Sequence, residues 1–116
     1  MTMQATFVEF PAFERHRAEY LDDDEFRQLQ DALIGNPQAG ALIEGSGGLR
    51  KLRYADKRRG KGRRGGLRVI YYWWFKGREF WLFTLYSKDE MSDLSAAQRA
   101  ALKDMMKREL KARSWT

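Results

Sequence analysis

Cysteine is absent from the 116-residue chain, and histidine occurs once, at His16. With no thiol, disulfides and thiolate metal sites are excluded; with one imidazole, a histidine-based metal cluster is implausible, and neither metal nor other cofactor is expected. Long hydrophobic runs are also missing. The longest apolar stretch, Leu67 to Phe75, contains Arg68 and is far too short to span a bilayer. The N-terminal residues do not follow the charged-then-apolar pattern of a signal peptide. These absences predict a soluble, cytoplasmic protein with no membrane partner.

Negative charge is scarce in the middle of the chain. Between Leu49 and Arg68, ten cations (Arg50, Lys51, Arg53, Lys57, Arg58, Arg59, Lys61, Arg63, Arg64 and Arg68) face one carboxylate, Asp56. From Glu9 to Asp31 the balance reverses, with Glu9, Glu14, Glu19, Asp22, Asp23, Asp24, Glu25 and Asp31 against Arg15, Arg17 and Arg27. The net charge of +6 is thus unevenly distributed, and the asymmetry predicts a molecule with one basic face suited to phosphate. A content of 43% hydrophobic and 14% aromatic residues fills one modest core, so a single domain over residues 1–116 is expected.

Thr6 to Phe10 reads as a short strand stopped by Pro11, which opens a short amphipathic helix through Phe13, His16, Arg17 and Tyr20. Asp22 and Glu25 form a capping-box variant at the start of a second helix, whose inner stripe is Phe26, Leu29 and Leu33 and whose end is Gly35, Asn36 and Pro37. After a loop closing on Gly45, Ser46, Gly47 and Gly48, strands are predicted at Leu49 to Tyr54, Leu67 to Phe75 and Glu79 to Tyr86. Lys76, Gly77 and Arg78 turn the last two into a hairpin. Ser95 and Gln98 cap a final helix to about Arg113, with Ala101, Leu102, Met105, Met106 and Leu110 inward. The order β-α-α-β-β-β-α, with a mainly antiparallel sheet, makes the fold class α+β. The aromatic content on both sheet faces predicts that the last helix covers one face and a partner helps to cover the other.

Strand alternation points Leu52 inward and puts Lys51 and Arg53 together on the opposite face. Arg68 interrupts an apolar run, which costs stability unless the charge is paired or used. Tyr86, Lys88 and Glu90 share a parity if extension continues past the core run, which makes one cleft lined by Lys51, Arg53, Arg68, Lys88 and Glu90 geometrically possible. For any one exposed strand cation, solvation and edge protection are the commoner role. Gly60, Gly62 and Gly65 spell G-x-G-x-x-G, but a strand follows where a dinucleotide site needs a helix, so that reading fails. Trp73, Trp74, Trp81 and Phe83 belong to core packing more readily than to base stacking, with Tyr72 and Trp74 left open; His16 is read as structural.

Three blocks then stand together: Gly47-Gly48-Leu49-Arg50-Lys51-Leu52-Arg53, Gly65-Gly66-Leu67-Arg68-Val69-Ile70-Tyr71-Tyr72, and Tyr86-Ser87-Lys88-Asp89-Glu90-Met91-Ser92-Asp93-Leu94-Ser95. In order and spacing, and over nearly the whole chain, they resemble the HigB branch of the RelE superfamily of bacterial toxins. The resemblance implies a small α+β fold and a ribosome-dependent endoribonuclease that cuts messenger RNA in the decoding site and inhibits translation. It also implies a cognate antitoxin, often with a helix-turn-helix domain, through which alone the toxin reaches operator DNA. By position, Lys51 and Arg53 match the paired basic residues of the family's second strand, Arg68 its third-strand arginine, Lys88 its last-strand basic residue and Glu90 the following acid. Better-known relatives carry an arginine where Asp89 follows Lys88, and a tyrosine near the C-terminus with no clear counterpart here.

Cleavage of this class needs no metal: the ribose 2'-hydroxyl attacks the adjacent phosphate and expels the 5'-oxygen. Arg68 is the expected phosphate clamp, because its fork matches two phosphate oxygens, with Lys51 and Arg53 adding charge. Lys51, Lys88 and Glu90 remain rival bases. Arg50 and the loop cations Lys57, Arg58, Arg59, Lys61, Arg63 and Arg64 are expected to grip ribosomal RNA. Two alternatives stay open: a non-catalytic RNA- or DNA-binding module of a toxin–antitoxin or ribosome-associated system, and a degenerate homologue that keeps only antitoxin binding.

Overall fold

A computed structural model describes residues 4–56 and 66–113. Along the chain run β1 (Thr6–Glu9), α1 (Pro11–Tyr20), α2 (Asp23–Gly35), β2 (Ala41–Leu42), β3 (Arg50–Tyr54), β4 (Leu67–Trp74), β5 (Glu79–Ser87) and α3 (Ala96–Arg113). The α+β class and the order of the longer elements agree with the sequence reading, with ends shifted by a residue or so. The addition is β2. Two residues are too short to show a period, and they are strand only because they pair with β3, Ala41 opposite Lys51 and Leu42 opposite Arg50.

The sheet order is β1-β5-β4-β3-β2, with β1 parallel to β5 and the other neighbours antiparallel. Because β1 and β2 occupy opposite edges, the chain between them must cross the full width of the sheet, and it does so as α1 and α2. Phe13, Tyr20, Phe26, Leu29 and Leu33 thereby cover Leu67, Val69, Tyr71, Phe80 and Leu82. This corrects the expectation that a partner helps to cover one face: two helices of the chain itself do it. On the other face Leu94, Leu102 and Met106 pack against Ile70, Trp81, Phe83 and Tyr86, while Ala101 is exposed rather than inward.

Both predicted capping boxes form. The Asp22 carboxylate accepts from the Glu25 N–H at 2.8 Å while Glu25 accepts from the Asp22 N–H at 3.0 Å. Ser95 and Gln98 repeat the exchange at 3.1 and 2.8 Å. Tyr71 pins the approach to β2: its hydroxyl donates to the Pro37 carbonyl at 2.7 Å and accepts from the Gly40 N–H at 3.0 Å.

The β4–β5 ladder slips once. Ile70 faces Thr84 but Tyr71 faces Leu82, so β5 carries an extra residue between them. Such a bulge shifts the alternation by one position. Phe83 and Tyr86 consequently lie in the same α3-side core, and Leu82 and Leu85 both lie in the other.

A candidate phosphate-binding site on the α3 face

Residues directly opposite each other in an antiparallel ladder share a face. Arg53 stands opposite Arg68 and Arg68 opposite Tyr86, one row across three strands; one step along, Lys51 stands opposite Ile70. Ile70 and Tyr86 belong to the α3-side core, so the row and Lys51 are on that face. Gly66, just before β4, is required for this approach, since a Cβ there would sit 1.7 Å from the Tyr54 carbonyl oxygen.

Arg68 is only 4% exposed. Its guanidinium makes two long contacts, to the carbonyls of Gly66 (3.5 Å) and Leu67 (3.4 Å), and among the described residues no carboxylate lies within ion-pair reach of it. Next to it in the row, Tyr86 is 5% exposed and its hydroxyl is buried with no hydrogen-bond partner among the described residues. Burial first, and then the negative charge of Asp93, push that phenol above its ordinary value, against a smaller opposing effect of Arg68.

Lys51 and Arg53 line an open groove of about 560 Å³ together with Asp93, Leu94, Arg99 and the segment Ala41 to Glu44. Lys51 Nζ pairs with Asp93 Oδ1 at 3.4 Å. The same carboxylate accepts from the Leu94 N–H at 2.8 Å, and this bond, with lesser help from Lys51 and Arg99, holds its pKa below the ordinary value. The loop that follows Glu44 is shaped by Ser46, whose hydroxyl donates to the Ile43 carbonyl at 2.6 Å and accepts from the Leu49 N–H at 3.0 Å, with Gly45, Gly47 and Gly48 at positive φ.

No protein-family model matches the chain. Among solved structures it resembles a mutant of the E. coli toxin RelE in the free state, with a TM-score of 0.50 and 16% identity, over 78% of this chain and 90% of that one. RelE in an archaeal RelE–RelB complex from Pyrococcus horikoshii follows at 0.48 and 20% identity, covering 74% of this chain and 97% of that one. The isolated E. coli toxin gives 0.46 and 17% identity, over 88% and 99%. The chain has a RelE-like fold.

Within the RelE-like fold the expected site residues divide. Lys51 and Arg53 share the groove, and Arg68 adjoins Arg53 in the row. Strand β5 ends at Ser87, so the extension that was to carry Lys88 and Glu90 into line with Tyr86 stops short; both sit exposed in the following turn. The Lys88 N–H donates to the Gly66 carbonyl at 3.5 Å. The Glu90 carboxylate accepts from the Tyr20 hydroxyl at 3.1 and 3.0 Å, which ties it to the end of α1. Arg50 donates to the carbonyls of Gly40 (2.8 Å) and Gln38 (3.3 Å), a tether to the segment before β2. Lys57, Arg58, Arg59, Lys61, Arg63 and Arg64, and the glycines 60, 62 and 65, lie outside the described residues.

Trp81 and Phe83 are buried, and Tyr72 and Trp74 pack on Trp81 with centroids at 5.2 and 5.6 Å, as core packing requires. His16, at the border of α1, pairs with Glu19 at 3.2 Å. Sequence reasoning passed over Asp93 and Arg99 as groove residues and Tyr86 as a neighbour of Arg68. The first two come in from the segment leading into α3, and the bulge disguises the third.

Proposed function

We propose that the protein is a HigB-like toxin of a type II toxin–antitoxin pair, a ribosome-dependent endoribonuclease that cuts messenger RNA and so inhibits translation. One observation carries the reading: a buried guanidinium, Arg68, with no carboxylate partner among the described residues, in a row with Arg53 and beside Lys51. Burying a charge unpaired is costly, and an incoming phosphate relieves that cost by supplying two acceptor oxygens to the fork. The RelE-like fold and the three sequence blocks support the choice of reaction. The 2'-oxygen bonds to phosphorus as the bond to the 5'-oxygen breaks, leaving a cyclic phosphate upstream and a 5'-hydroxyl downstream. Arg68, aided by Lys51 and Arg53, stabilises the charge that builds on the phosphate oxygens. The chain's further cations, residues 57–64 among them, add affinity for ribosomal RNA through their charge. The partners in this reading are the ribosome, messenger RNA and a cytoplasmic antitoxin with a helix-turn-helix domain, through which operator DNA is reached.

A second reading, a non-catalytic RNA-binding module, is favoured by one feature: two of the three rival bases are engaged, Lys51 by Asp93 and Glu90 by Tyr20. Cell-free translation separates them. Purified wild-type protein is expected to truncate ribosome-bound messages; intact messages with the protein still on the ribosome establish the binding module instead.

A further inference from the structure

We infer that the Tyr86 hydroxyl and the Arg68 guanidinium form one anion cradle, in which Tyr86 is a substrate-contacting hydrogen-bond donor to a phosphate oxygen. The inference deepens the phosphate-site reading given above and rests on it. The ring of Tyr86 has an ordinary role, since it packs with Ile70, Phe83 and Leu94 in the α3-side core. A phenylalanine would serve that role equally, whereas a tyrosine there leaves a hydroxyl buried with no partner among the described residues. Buried hydroxyls are as a rule bonded, so one that is orphaned points to a partner that comes and goes.

Three features identify that partner as an anion. Arg68, directly opposite Tyr86 in the ladder, is also buried, with no carboxylate partner among the described residues. The β5 bulge is what turns Tyr86 onto the face of Arg68; without it, Tyr86 would share the α1/α2 side with Leu82. The groove beside them carries three cations, Lys51, Arg53 and Arg99, against two carboxylates, Glu44 and Asp93, of which Asp93 is paired with Lys51. Arg68 supplies charge and two forked donors, and the phenol supplies a neutral third donor whose direction is fixed by the core around its ring. The hydroxyl forms only a hydrogen bond; the chemistry of the step is otherwise that already described.

The test uses the full chain and a dinucleotide whose 2'-oxygen is methylated, which cannot be cleaved, titrated at low salt and followed by NMR, with cutting on ribosomes measured alongside. Tyr86→Phe removes the hydroxyl and leaves the packing. It is expected to fold as the wild type does, to bind the dinucleotide about tenfold more weakly and to cut on the order of a hundredfold more slowly. A 3-fluorotyrosine placed at 86 keeps the donor and is expected to keep the binding. If Tyr86→Phe binds and cuts like the wild type, or the wild type fails to bind at millimolar dinucleotide, the cradle is wrong. A tenfold loss of binding in a protein that never cuts on ribosomes keeps the cradle and removes the ribonuclease reading, so the two failures are distinguishable.

Discussion

A guanidinium inside a sheet gives up its hydration and must find other partners. At Arg68 the two long carbonyl contacts return little of the solvation given up on burial, which is the cost that the proposed phosphate would relieve. Arg68→Met is therefore expected to raise the free energy of unfolding by about 1–2 kcal/mol in urea titrations while abolishing cutting; a destabilised variant would show that Arg68 supports the fold. The residue was legible in the sequence because a charge within an apolar run is conspicuous on its own. Its neighbour Tyr86 was not legible as a candidate, since nothing local marks a tyrosine whose hydroxyl lacks a partner among the described residues. Asp93 meets Lys51 only through the tertiary fold, 42 positions along the chain.

At the scale of elements, side-chain chemistry that acts over three or four residues was readable, and chemistry that depends on a neighbour was not. Both capping boxes could be found from spacing because donor and acceptor lie in one turn. Asp22→Ala removes the side-chain half of the α2 box and is expected to cost about 1 kcal/mol of stability, read as a lower urea midpoint with unchanged slope. Alternation placed Lys51 and Arg53 on one face, but it could not foresee the extra residue in β5, which exists only relative to β4. The end of β5 at Ser87, one residue past the predicted Tyr86, stops the extension on which the alignment of Lys88 and Glu90 depended. It separates both from the row that the sequence pattern had drawn them into.

Across the whole molecule, the parallel placement of β1 beside β5 and of β2 on the far edge makes α1 and α2 the cover of one face and leaves the other to α3 and the groove. Three tyrosines, Tyr71 and Tyr86 buried and Tyr54 half-buried, are expected to weaken the fold at alkaline pH. Burial is the largest cause of the raised pKa at Tyr54, Tyr71 and Tyr86; Glu25 and Asp31 add to it at Tyr54, and Asp93 adds to it at Tyr86. The unfolded chain ionises these phenols near 10.0, before the native state does. Their contribution is thus complete below pH 10 and is lost as pH rises through the higher native values. Urea midpoints measured from pH 8 to 11.5 are expected to fall above pH 10, with native phenolate absorbance developing later than in the denatured protein. Simultaneous ionisation in both states would contradict the burial of these rings.

The central claim is that Arg68, in line with Arg53 and beside Lys51, holds a phosphate at which RNA is cut on the ribosome. Mapping both ends of messages recovered from ribosomes treated with wild-type protein and with Arg68→Ala tests it most directly. Expected are 5'-hydroxyl downstream ends and cyclic-phosphate upstream ends inside the decoding site with the wild type, and their loss with Arg68→Ala while that variant still cosediments with ribosomes. Equal cutting by both proteins, or none by either, would contradict it.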